Sequence, residues 1–258
     1  MSVVMSEAEV LVQELEHLKD DLQEKLHPAS GPAVGPRQFV ADLQAMKEKA
    51  ARQIRAGKLG TFHFGDVSLP PEKRSQVTTM LKLLVYPETR VGDQVARRLV
   101  QLPDLDLKAR ASQQVIDEIG HAQVLRDMLQ RWGEDADALC NRPLPEIEAV
   151  FDYVEQLETP VEYFTANFMC EGLFLPSHLH AMAELDPRAF QEYIDATLGD
   201  EATHIALARD VVLRYATTAA IQQRCREVAK KVTELFLQGF VAKVQTLMED
   251  DHQPVKTA

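Results

Sequence analysis

Cysteine is scarce in this 258-residue chain: Cys140, Cys170 and Cys225 are all there is, odd in number, far apart and without a CxxC pair. A disulfide framework, a thiolate zinc site and a rubredoxin-type iron site are all disfavoured, and a reducing compartment fits. Glycine and proline are also few, 11 and 13, and long stretches lack both. That argues against short strands joined by turns and for helices. No segment approaches the roughly 20 apolar residues that a membrane span requires. The N-terminus turns acidic at Glu7, before an apolar stretch of signal-peptide length develops. Positive charge is in deficit, with 28 Lys and Arg against 40 Asp and Glu and a net charge of −12. Phosphate contact needs clustered Lys and Arg, so nucleic-acid binding is not the main task. The expectation is a cytoplasmic protein that engages neither membrane nor nucleic acid.

What is present has ordinary globular proportions, 45% hydrophobic and 26% charged. The length suffices for a sizeable core. Residues 1–36 read as an N-terminal helical arm and linker: a helix from Ser6 to about Leu26, with Leu11, Leu15, Leu18 and Leu22 in a heptad-like seam, then the turn-rich PASGPAVGP. The arm either packs back on the body or joins two copies as a homodimer. Residues 37–250 read as a helical bundle and 251–258 as a tail. A helix from Arg37 to about Ala56 precedes a loop over Lys58–Pro71. From Pro71 to about Met248 the pattern is helical, broken at Leu102-Pro103, Gly133–Pro145, Glu158–Pro160, Asp186-Pro187 and near Thr217-Thr218. Those breaks leave two pairs of long helices, each joined by a short turn and so antiparallel, and a final helix.

Two of these helices carry Asp-Glu-x-x-His, at Asp117-Glu118 with His121 and at Asp200-Glu201 with His204. Glu and His three apart share one helix face and can grip one metal ion. The bare spacing is weak evidence, because Glu14/His17, Glu24/His27 and Glu249/His252 share it. Context separates the two pairs from these three. Glu118 and His121 interrupt the apolar stripe Leu107, Ala111, Val115, Leu125, Met128, Trp132; Glu201 and His204 interrupt Phe190, Ile194, Thr197, Ala208, Val211, Tyr215. A single glutamate stands in each preceding helical stripe, Glu88 thirty residues before Glu118 and Glu171 thirty before Glu201. Glu88, Asp117, Glu118 and His121 all map onto Glu171, Asp200, Glu201 and His204 by one offset of 83 residues. Two helical hairpins that each supply one Glu and one Glu-x-x-His would build a pseudo-two-fold site.

Buried carboxylates need cations, and four of them balance two divalent ions. Four glutamates and two histidines from four helices form the ligand set of di-iron and di-manganese bundles. Mixed carboxylate and imidazole ligands suit iron, with manganese possible in place of one or both ions, while the lack of thiolate disfavours zinc. The expected ligands are Glu88, Glu118, His121, Glu171, Glu201 and His204, with Glu118 and Glu201 bridging at the reacting centre. Asp117 and Asp200 read either as carboxylate acceptors for the histidine of the opposite helix or as solvated side chains. His178, seven residues after Glu171, reads as an extra ligand, a pocket group or a hydrogen-bonded core histidine; His63 and His180 read as structural.

On these residues, 71–248 resemble the ferritin-like di-iron carboxylate superfamily. The repeated Glu, thirty-residue, Asp-Glu-x-x-His unit and the Asp186-Pro187 helix start resemble the phenylacetate-catabolism proteins, including the catalytic subunit of phenylacetyl-CoA epoxidase. The resemblance implies an all-α fold: a ferritin-like four-helix bundle with extra N-terminal and C-terminal helices. It also implies a di-iron oxygenase or oxidase that uses dioxygen and electrons from a separate reductase to oxidise a small organic substrate, acyl-CoA or carrier-bound molecules included. Such an enzyme works with a partner subunit, and Arg97-Arg98 are the basic pair that could meet coenzyme A. Several departures narrow the field. Leu125 stands where ribonucleotide reductases have a radical tyrosine, and Tyr153, Tyr163 and Tyr193 lack that motif spacing. Leu175 stands where multicomponent monooxygenases have a threonine, and the cysteine-rich domain of rubrerythrins is missing. Two other readings stay open: a non-catalytic iron-binding or redox-sensing bundle, and a partner subunit of an oxygenase complex.

Overall fold

Where glycine and proline are sparse, the chain is helical. The computed structural model describes residues 33–56, 71–185 and 187–241, with side chains except at 51–56, 71–76, 146, 174–185, 187–189, 191 and 240–241. The predicted arm helix, the loop before Pro71, His63, the three other Glu/His pairs and the tail lie outside the described residues. The described elements are α1 (Pro36–Ala56), α2 (Pro71–Leu99), α3 (Leu105–Arg131), α4 (Ala136–Cys140), α5 (Pro145–Glu155), α6 (Pro160–Leu185), α7 (Pro187–Tyr215) and α8 (Ala219–Phe236), then a π-turn over Leu237–Val241. All are helical, and the fold is an all-α bundle. Among the described residues, no helix is long and apolar enough to cross a membrane.

Local chemistry sets the boundaries. Five of the eight helices begin on proline, whose missing N–H costs nothing in a first turn. Asp104 caps α3 by accepting from the Leu107 amide at 3.0 Å, and Thr218 caps α8 through the Ile221 amide at 3.3 Å. Thr159 and Glu162 form a capping box at α6: Glu162 accepts from the Thr159 amide at 2.9 Å, and Thr159 Oγ1 accepts from the Glu162 amide at 3.3 Å. Sequence reading passed over Pro87 inside α2 and the short α4 within 133–145. Pro87 has no amide hydrogen to give the helix ladder one residue before Glu88.

Helices α2 and α3 pack along each other, as do α6 and α7, and α3 lies against α7 to join the two hairpins. Helix α1 covers α6 and α7, while α8 covers α6. The apolar stripes fill the interior: Leu81, Leu84, Leu107, Leu125, Phe164, Phe168 and Phe190 are buried almost completely. Each such side chain contributes about 1.5–3 kcal/mol relative to exposure. A buried amide fastens the first turn to the last helix. Gln222 Nε2 donates to the carbonyls of Val34 at 2.8 Å and Ala216 at 2.9 Å, and its Oε1 accepts from the Val34 amide at 3.1 Å. The bundle therefore presents four long helices to one interior, and polar residues on their inward stripes must meet there.

Candidate metal centre

Glu88 comes from α2, Glu118 and His121 from α3, Glu171 from α6, and Glu201 and His204 from α7; all six are buried, none more than 7% exposed. Gly92, one turn after Glu88, lets α2 come close to α3 here: a Cβ would sit 3.3 Å from Glu118 Cβ and 3.2 Å from Ile119 Cδ1. The structure brings the six residues together in two groups. Glu88, Glu118, His121 and Glu201 offer ligand atoms that all lie within 4.8 Å of one another, and so do Glu118, Glu171 and His204. Glu118 belongs to both groups. Glu201 also spans them, with Oε1 3.9 Å from His121 Nδ1 and Oε2 3.4 Å from His204 Nδ1.

Both imidazoles are held in the same way. His121 Nε2 lies 3.3 Å from Asp200 Oδ2, and His204 Nε2 lies 3.2 Å from Asp117 Oδ2. Each aspartate thus meets the histidine of the opposite helix. A carboxylate on Nε2–H leaves the Nδ1 lone pair facing the cluster. Nδ1 of His121 lies 3.4 Å from Glu88 Oε2, and Nδ1 of His204 lies 3.3 Å from Glu118 Oε1. Both Nδ1 atoms and Glu201 Oε2 are buried without a hydrogen-bond partner. Convergent, buried nitrogen and oxygen atoms without hydrogen-bond partners are what a cation would satisfy. The residues fit two metal ions.

The electrostatics agree. Burial, then the charges of Glu171, Glu201 and Glu88, push Glu118 far above the ordinary carboxylate value. Burial and Glu201 do the same to Glu171, and burial and Glu88 raise Glu201 to about 7. Glu88 alone is lowered: burial would raise it, but the close approach and charge of His121 outweigh that. Burial would lower His121, yet Glu88, Glu201 and Asp200 lift it to about 9. Four carboxylates this close share protons unless cations replace them.

Three more side chains belong to the site: Gln114 and Asn167, which sequence reading did not single out, and Tyr193, which it named without placing. Gln114, one turn before Glu118, donates Nε2 to Glu118 Oε1 at 2.9 Å and to Glu171 Oε1 at 3.3 Å, tying α3 to α6. Asn167, one turn before Glu171, donates to Glu171 Oε1 at 3.4 Å. Tyr193 is fully buried, and its hydroxyl donates to Glu88. A signal existed, since Tyr193, Thr197 and Glu201 occupy one i, i+4, i+8 row. Motif spacing alone drew attention to Leu125, a core residue. His178 lies on α6, and its side chain is outside those described.

A pocket of about 740 Å³, counting its open mouth, reaches the cluster. All four glutamates line it, and neither histidine does. Its walls are apolar: Val91 from α2, Val150 and Phe151 from α5, Ala166 from α6 and Phe236 from α8. Helix α5 is hooked to α2 by polar contacts, Tyr86 Oη to Glu148 at 2.7 Å and Gln94 Nε2 to the Phe151 carbonyl at 3.1 Å. Arg97 pairs with Glu155, and Arg98 Nη2 donates to the Glu155 carbonyl at 3.1 Å. The two arginines considered for coenzyme A thus brace α5.

No protein-family model and no curated protein matches the chain. A solved structure does: a domain of unknown function with a heme oxygenase-like fold from Shewanella denitrificans, 14% identical, with a TM-score of 0.55. The match covers 84% of this chain and 94% of that one. At that identity the likeness shows the fold alone: this chain is an all-helical bundle similar to a heme oxygenase-like fold, with a buried Glu/His cluster that can hold metal ions.

Proposed function

We propose that this chain is a non-haem di-metal oxidoreductase, with two iron ions as its first choice and manganese as a possible substitute. The observation that carries this reading is the pair of buried ligand groups sharing Glu118. Bound there, iron would supply the activation of dioxygen, with electrons from a separate reductase. Together with His121 and His204, each offering Nδ1, Glu88, Glu118, Glu171 and Glu201 would hold the ions, which would supply Lewis acidity and redox chemistry there. Asp117 and Asp200 would hold the rings in register. Gln114 and Asn167 would keep Glu118 and Glu171 from swinging into the pocket. The apolar walls would keep water from a small organic substrate lying against the carboxylates. A kinship with the phenylacetate-catabolism proteins is proposed at the level of this ligand pattern.

The first experiment is metal analysis of the purified chain. About two ions per chain are expected, falling sharply in His121→Ala and His204→Ala, while His17→Ala, His27→Ala and His252→Ala leave the content unchanged. Equal losses in both sets of variants would reject the site. The Tyr193 hydroxyl on Glu88 favours a second reading at the same centre, one-electron storage on tyrosine. Rapid-freeze paramagnetic resonance after mixing reduced protein with dioxygen separates the two. A long-lived tyrosyl signal, lost in Tyr193→Phe, supports storage, and a signal-free protein that oxidises substrate supports the oxygenase.

A further inference from the structure

Among the described residues that line the pocket, one buried polar atom outside the four glutamates has no hydrogen-bond partner. Asn167 is 6% exposed and lines the pocket, with its Nδ2 turned to Glu171 Oε1. That contact sets the orientation of the amide, because a carboxylate only accepts and the NH₂ end alone can donate. The other end, Oδ1, is buried and has no donor. A buried carbonyl oxygen left in this way costs about as much as a lost hydrogen bond, so it is a strong point of attachment for any O–H or N–H that reaches it.

The rest of the lining limits what can bring that donor. The walls are apolar, and the other charged groups are the four glutamates. Among the described residues that line the pocket there is no lysine or arginine. The four carboxylates would already balance two divalent ions, so an anionic group would find no spare cation whether or not metal is bound, and a buried unpaired charge is costly. The other uncharged polar lining residues are Gln94, whose Nε2 is committed to the Phe151 carbonyl, and Tyr163 and Cys170. A hydrocarbon without a donor would fit the walls but leave Asn167 Oδ1 unsatisfied.

We infer that the pocket takes an uncharged, largely apolar molecule bearing a hydroxyl or N–H group, and that Asn167 Oδ1 accepts the hydrogen bond of that group. The word substrate for this molecule rests on the metal-centre reading above; the pocket and the acceptor do not. Asn167 then fixes which end of the molecule lies against Glu88, Glu118 and Glu171, and it sets preference among substrates rather than taking part in the chemistry.

Three probes of nearly equal size test this: indole, which has the N–H; indene, which lacks it; and benzoate, which is anionic. Binding of each is measured by calorimetry on the full chain, both metal-free and loaded with manganese(II). Indole is expected to bind about tenfold tighter than indene, the worth of one such hydrogen bond, with benzoate weakest. In Asn167→Leu the indole advantage should vanish while indene binding is kept. If that variant does not fold, Asn167→Ala makes the same comparison, and the indole-to-indene ratio of the parent stands by itself. Equal binding of indole and indene, an indole preference that survives in the variants, or benzoate binding tighter than indole to the metal-free chain would overturn the inference. Metal content is assayed on the same preparations. A chain that takes up no metal but prefers indole through Asn167 upholds this inference and removes only the metal-centre reading.

Discussion

His121 and Glu201 carry protons in the metal-free centre that an ion must displace, and this makes metal uptake sensitive to acid. In the metal-free centre His121 holds its proton up to about 9 and Glu201 up to about 7. An incoming ion must displace those protons. Below about 9 it displaces the one on His121, below about 7 also the one on Glu201, and burial and neighbouring charges hold protons on Glu118 and Glu171 that must leave as well. Apparent affinity for manganese(II) should therefore fall as pH falls, by at least about tenfold per pH unit below 9 and more steeply below 7. Proton release during titration measures this directly; an affinity that is flat from about pH 6 to 9 would contradict the assignment. The aspartates on Nε2 offer a second test. Asp117→Asn and Asp200→Asn keep the shape but remove the charge that orients each ring. Both should keep the fold and lose about ten- to a hundredfold in metal affinity. Affinities equal to the parent's would make the two aspartates ordinary polar residues.

Helix α1 meets the site's rear wall through an unusual contact. Lys47 is 6% exposed, and its Nζ lies 4.1 Å from the centroid of the Phe168 ring. Its stem fills the space beside Gly172, where a Cβ would come within 2.0 Å of Lys47 Cδ. Glycine next to the ligand candidate Glu171 is what lets α1 seat on α6. Burial lowers Lys47 to about 8, against a weaker opposite pull from Glu48. The unfolded chain keeps this proton up to about 10.4. Between about 8 and 10.4 the unfolded state binds more protons, so the contribution of Lys47 to stability improves as pH rises through that window. Below about 8 both states are charged, and the full burial penalty applies, offset in part by the Phe168 ring. Lys47→Met keeps the stem without the charge. It should raise the melting temperature at pH 7, and the gain should shrink toward pH 10. A gain that does not change with pH would mean that packing, not charge, is responsible.

The bundle as a unit carries four buried carboxylates whose mutual repulsion works against folding unless ions are bound. Ligands that bind only the folded state stabilise it, by about 2.7 kcal/mol at a hundred times Kd. Manganese(II) or iron(II) should therefore raise the melting temperature by several degrees, and removal by a chelator should reverse the rise. Glu118→Gln is the sharpest control, because Glu118 belongs to both ligand groups. Burial and its glutamate neighbours already hold Glu118 toward its neutral form without metal, so the metal-free variant should melt close to the parent. It should no longer respond to metal. A full metal-induced rise in Glu118→Gln would place the ions elsewhere.

Much of this architecture is local and so could be read along the chain. Scarce glycine and proline, the caps at Asp104 and Thr218, and the three-and-four spacing of Leu107, Ala111, Leu125 and Met128 depend on neighbours within a turn or two. The repeat of Glu88, Glu118 and His121 in Glu171, Glu201 and His204 could be read for the same reason, since each Glu-x-x-His pair lies on one helix face. Among contacts between helices, the repeat suggested the pairing of Asp117 and Asp200 with the histidines of the opposite helices, and the structure has both; the others could not be read. The bridge from Gln114 to Glu171 and the Tyr193 hydroxyl on Glu88 join residues 57 and 105 positions apart. No periodicity within a helix encodes these, because they depend on how far each hairpin is rotated and slid against the other. The pocket is of the same kind. Its walls come from α2, α5, α6 and the end of α8, and each of those faces looks like ordinary core until packing leaves a space between them. Composition and spacing chose helices and gathered acids and imidazoles on their inner faces; only the packing of those helices decided that one side of the cluster would be closed by histidines and the other left open beneath Asn167.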